Sequence, residues 1–70
     1  MRKYLVIYER NADGFNAYVP DLPGCTSAGE TKEEVELNII EAIKLHLEVL
    51  QEEGLEIPKS VSDSEMIVIS

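Results

Sequence analysis

The chain has 70 residues, 44% of them hydrophobic, with one cysteine and a formal net charge of −8 at pH 7. That length holds one domain with a thin core, and a lone Cys25 excludes an intramolecular disulfide and argues against a structural zinc site. The negative balance disfavours a nucleic-acid phosphate backbone as partner, and the apolar run Tyr4–Tyr8 is far too short for a signal sequence or a membrane span. A small domain without crosslink or metal is marginal by itself, so the composition predicts a homo-oligomer, a dimer or tetramer. The expected setting is cytoplasmic, with no membrane contact.

Lys3 to Glu9 alternates in hydrophobicity. Tyr4, Val6 and Tyr8 point one way and Leu5 and Ile7 the other, which predicts a strand partly covered on both faces. Asn11–Gly14 is a turn, and Phe15–Val19 is a second strand, so the two form an antiparallel hairpin. Two prolines in the run from Pro20 to Gly24 end that strand. Cys25–Ala28 predicts a short third strand. Thr31, with Glu34 three residues on, makes a capping box that opens a helix from Lys32 to about Glu53, and Gly54 stops it. Residues 59–65 read as a loop and Met66–Ile69 as a terminal strand. The single domain, 1–70, therefore divides into a core over 1–58, that loop and that strand. Its order is β-β-β-α-β, an α+β fold with one long helix on one face of a small, mainly antiparallel sheet.

The charge is uneven. Residues 1–29 balance, whereas residues 30–56 carry nine Glu against Lys32 and Lys44. The plain explanation is a solvated helix face. The sharper one is a surface that attracts a basic protein. Acids at Glu48, Glu52 and Glu53 oppose the helix dipole, which favours the second reading. The helix is also apolar over more than half its circumference, with Val35, Ile39, Ala42, Ile43 and Leu50 along the centre. A surface helix needs only a stripe somewhat over 100° wide. The excess, at Ile40, Leu45, His46 and Val49, is expected at an interface between copies; loop coverage by Leu55 and Ile57 is the alternative. Partner contacts are expected at Glu41, Glu48 and Glu52, and on the sheet at Tyr4, Tyr8 and Tyr18, although tyrosines also simply cover sheets.

Enzyme chemistry has little to stand on. Cys25 and His46 could pair as nucleophile and base only if the fold joined them and a third group oriented the histidine. A histidine on an apolar stripe is more often a packed residue. No convergent carboxylates, phosphate loop or basic-aromatic surface is apparent. No catalytic residue, metal site or cofactor is expected.

The run Gly14 to Cys25, above all Pro20-Asp21-Leu22-Pro23-Gly24-Cys25, resembles the signature of the HicB family of antitoxins. The capped segment Gly29–Val35, the stretch Glu41–Glu48 and the run Gly54–Pro58 are similar to that family too. The resemblance implies a degraded ribonuclease-H-like domain without nuclease activity. It implies a small basic HicA-like toxin as partner, an mRNA-cleaving ribonuclease whose RNA-binding and catalytic surface the antitoxin masks. Many such antitoxins continue into a DNA-binding segment; the tail from Lys59 to Ser70 is too short for helix-turn-helix, so DNA binding by this chain alone is not expected. An orphan oligomeric adaptor or regulator of the same fold, without a cognate toxin, is the alternative.

Overall fold

The structure is a computed structural model and describes residues 2–70. Three strands, β1 (Ile7–Asn11), β2 (Gly14–Tyr18) and β3 (Thr26–Gly29), precede one helix, α1 (Lys32–Glu52). The strands form one antiparallel sheet in the order β1-β2-β3, with Tyr8 opposite Ala17 and Ala17 opposite Ser27. The helix lies on one face, over β3 and β2.

Strand alternation decides what that face buries. Ala17 and Val19 sit beneath the helix with Leu22, Cys25, Val35 and Ile39, all buried, and Tyr4, Val6, Tyr8 and Phe15 pack around them. Gly14, at φ 147°, closes the β1–β2 turn, and a Cβ there would lie 2.3 Å from the Gly29 carbonyl oxygen. No other residue type fits that crossing without moving β3.

Both ends of α1 are capped, the first by one half of the predicted capping box: among the described residues no bond from the Thr31 N–H to the Glu34 side chain accompanies the hydroxyl contact. The Thr31 hydroxyl accepts from the Glu34 N–H at 3.1 Å. At the other end the Gly54 N–H donates to the Gln51 carbonyl and the Leu55 N–H to the Leu50 carbonyl, with Gly54 at φ 68°. This is a Schellman motif.

The first strand starts later than the alternation predicts. β2 ends at Tyr18, opposite Ile7; the Val19 N–H continues the register toward β3 by donating to the Cys25 carbonyl, and the next residue that would offer β1 an N–H is Pro20, which has none. Residues 2–6 therefore have no strand to pair with. The terminal strand at Met66–Ile69 also differs from expectation and forms no ladder among the described residues. After the helix the chain is tied down twice at one end of the sheet. The Tyr4 hydroxyl donates to the Pro58 carbonyl, and the Asp21 carboxylate accepts from the N–H groups of Val61 and Ser62 and from the Ser62 hydroxyl. These ties carry the tail across the strand ends rather than along an edge.

Candidate protein-binding surface

The loop from Pro20 to Gly24 does two structural jobs. Three hydrogen bonds close it: Val19 N–H to the Cys25 carbonyl, Leu22 N–H to the Val19 carbonyl, and Cys25 N–H to the Leu22 carbonyl. Closure turns Leu22 inward, where it is 0% exposed and plugs the core. It turns Asp21 outward onto the tail, with contacts of 3.0, 3.0 and 2.8 Å to Val61 N–H, Ser62 N–H and Ser62 hydroxyl. Those bonds, led by the Ser62 N–H, hold the Asp21 carboxyl below its ordinary value. A carboxylate accepting backbone N–H groups is favoured in its charged form. Pro20, Pro23 and Gly24 shape the loop from exposed positions, and Cys25 is buried behind it. Sequence reasoning singled out this run but not the clasp made by Asp21. Its only signal was an acid beside a proline in a loop, which says nothing of a partner 40 residues away.

On α1 the expected contact acids Glu41, Glu48 and Glu52 are all exposed. Their spacing of seven and four residues sets them along one stripe. Glu41 stands 3.8 Å from Lys44 across one turn, an exposed pair worth little. The last turn holds no basic residue. Beside this acidic stripe lie exposed apolar side chains: Leu37 at 66%, Leu45 at 62%, and Ile40 and Val49 at 41% each. Leu37 belongs to this surface and was not expected there, since it falls outside the apolar arc.

Of the expected self-association residues, Leu45, His46 and Val49 come together with Cys25, Ala42 and Leu50 along a groove of about 330 Å³. Ile40 lies outside that groove. Cys25 and His46 thus share a groove, but no hydrogen bond joins them. Burial pushes the Cys25 thiol up, opposite to what an activated nucleophile requires. No group of three or more His, Cys, Asp or Glu among the described residues could hold a metal. No helix of the described residues is long and apolar enough to cross a membrane.

The three tyrosines do not share a surface. Tyr4 and Tyr8 pack against the core on the helix side, with the Lys32 ammonium 4.4 Å from the Tyr8 ring centroid. Burial, and secondarily the charge of Glu36, raises the Tyr8 phenol above its ordinary value. Tyr18, opposite Ile7, points to the other face. The period of two explains the division: Ala17 and Val19 take the helix side of β2, so Tyr18 cannot.

Comparison with known proteins places the chain. The model of a family described as the HicB-like antitoxin of bacterial toxin–antitoxin systems matches residues 4–68. A 14.9 kDa protein from the rep–hol intergenic region of Haemophilus phage HP1 is 47% identical over 57 residues, which are 81% of this chain and 43% of that protein. The chain therefore spans less than half the length of that relative. A UPF0150 protein of Thermoplasma acidophilum is 43% identical over 58 residues, covering 81% of this chain and 84% of the relative. Among solved structures, a chain of a HicA3 and HicB3 toxin–antitoxin complex superposes with a TM-score of 0.73 at 35% identity, covering 86% of this chain and 70% of that one.

Proposed function

Since the chain belongs to the HicB-like antitoxin family, we propose that it acts by binding a small, basic HicA-type toxin and masking the surface with which that toxin holds and cleaves mRNA. The observation that carries this reading is the exposed stripe of Glu41, Glu48 and Glu52, bordered by Leu37, Leu45 and Val49. Carboxylates in a row offer a cationic RNA-binding surface the charge it otherwise finds on phosphates. The neighbouring leucines and valine supply the apolar contact that turns attraction into a lasting complex. The solved neighbour is a complex of a toxin with an antitoxin, which supports the same partnership here.

The acids sit where stability does not want them. Glu52 lies in the last helical turn, at the negative end of the dipole, with no basic residue to offset it. A residue that costs stability and stays exposed fits a role in binding. The chain's own action in this reading is occlusion, without a catalytic step. The groove at Leu45, His46 and Val49 also favours a homo-oligomer, and an oligomer without a toxin is the reading to which failure of the test would lead.

The test is co-expression with a HicA-type toxin. The chain is expected to co-purify with it and to restore translation in a cell-free assay. The triple variant Glu41→Lys/Glu48→Lys/Glu52→Lys is expected to lose both effects while keeping the wild-type circular dichroism spectrum. Full neutralisation by the folded triple variant would sink the proposed surface. Failure of the wild-type chain to bind any such toxin would sink the function.

A further inference from the structure

Two segments of this chain have the composition of strands and no ladder. One is Tyr4-Leu5-Val6, which leads into β1; the other is Met66-Ile67-Val68-Ile69. Neither makes a backbone hydrogen bond to another segment among the described residues. Their burial differs sharply. Tyr4, Leu5 and Val6 are half-buried, whereas residues 66–69 are between 64% and 96% exposed. Four consecutive large apolar residues in water, with all their backbone groups unpaired by protein, form a strand looking for an edge. The arm also stretches the molecule. The radius of gyration is 13.6 Å, against about 11 Å for a compact chain of this length.

We propose that in a symmetric dimer the Met66–Ile69 arm of each copy adds as a strand to the segment 3–7 of the other. Three observations point to a second copy as the occupant. First, the ties at Tyr4–Pro58 and Asp21–Ser62 take the arm past the strand ends of its own sheet, and there it stands clear of its own domain. Second, donor and acceptor surfaces occur once each per chain, so a two-fold axis satisfies both at once, as a closed exchange requires. Third, the flanking charges match. Asp63 and Glu65 precede the arm, while Arg2 and Lys3 precede the receiving segment. A parallel pairing sets those two acids beside those two cations. An antiparallel pairing sets them beside Glu9 and Arg10, whose charges cancel. The arm therefore adds in parallel, with Glu65 near Lys3 of the other copy. The pairing needs no toxin, so it stands or falls separately from the proposed antitoxin activity.

Light scattering on the full chain is expected to give a particle of an even number of 7.8 kDa chains. Val68→Pro removes a ladder N–H from a residue that is 96% exposed and outside the core. It is expected to halve the particle mass and to leave the circular dichroism spectrum intact. A mass that Val68→Pro leaves unchanged would overturn the proposal, as would a wild-type monomer. Mixing chains carrying Leu5→Cys with chains carrying Ile67→Cys, the residues that this register sets opposite each other, is expected to trap a disulfide between different chains, with buried Cys25 as a bystander. A disulfide that forms only when both substitutions lie in one chain, in a monomeric product, would place the arm on its own sheet and defeat the exchange. For the direction of pairing, Lys3→Glu is expected to raise the dimer dissociation constant about tenfold and Glu65→Lys to restore it in the double variant. Absence of rescue would overturn the parallel arrangement.

Discussion

The two halves of α1 are built from similar residues and live in different surroundings. In the first half, Val35 and Ile39 are 0% and 1% exposed over the sheet. In the second, no residue is fully buried: Leu45 is 62% and Val49 41% exposed, and Ala42, Ile43 and Leu47 lean on the core while partly exposed. The cause is length. A helix of 21 residues runs about 31 Å, whereas strands of four and five residues run about 17 Å at most. The sheet ends halfway along the helix. Electrostatics follow the same division: Glu33 and Glu34 in the first turn suit the positive end of the dipole, and Glu52 in the last turn opposes it. One half of the helix makes the fold, and the other half is held out by it.

That contrast can be broken most severely in the first half. Ile39→Ala is expected to cost about 2–5 kcal/mol of unfolding free energy, measured by urea titration, whereas Leu45→Ala should change it by less than about 0.5 kcal/mol in the isolated domain. Equal losses at the two positions would mean that the second half is as well packed as the first. Thr31→Ala removes the N-cap hydroxyl and is expected to cost about 1 kcal/mol. In the other direction, Glu52→Gln should raise stability by about 0.3–1 kcal/mol and slow association with a basic toxin, measured by stopped flow. A stability gain without slower association would separate the acidic stripe from binding.

The smallest expected effect concerns the clasp at Asp21. Its folded carboxyl titrates below its ordinary value, so the stability it adds is fully present above about pH 4 and is lost as pH falls through the lower folded value. The protection of the Val61 and Ser62 amides, taken as exchange relative to the intrinsic rate at each pH, should therefore fall on acidification before the core opens. In Asp21→Asn those two amides should exchange fast at neutral pH as well. Protection that persists in that variant would show that the tail is held by something else.

The helix, both of its caps and the hairpin were legible because each rests on local signals: a capping box, a stop glycine and a period of two. The excess apolar arc at Leu45 and Val49 was legible too, since a stripe over more than half the helix circumference is wider than one small sheet can cover. What escaped depended on contacts between distant residues. The division of Tyr18 from Tyr4 and Tyr8 follows from which face of β2 meets the helix, and alternation alone does not choose a face. The late start of β1 follows from where β2 stops. Leu37 lies outside the apolar arc, so periodicity gave no reason to count it among the exposed contact residues. The tail was read as a strand from its composition, and composition does not name the strand's neighbour.

The ties at Tyr4–Pro58 and Asp21–Ser62 join residues 54 and 41 apart in sequence. Closing loops of that size carries an entropic cost that the hairpin and the helix never meet. The contacts that assemble the core reach from β1 to α1 and can form before the tail arrives. Docking of residues 58–62 is therefore expected late on the folding path, after the barrier. Weakening either tie should hasten unfolding and leave the refolding rate nearly unchanged. The clasp would act as a brake on opening, and its grip would be read in how long the folded molecule lasts.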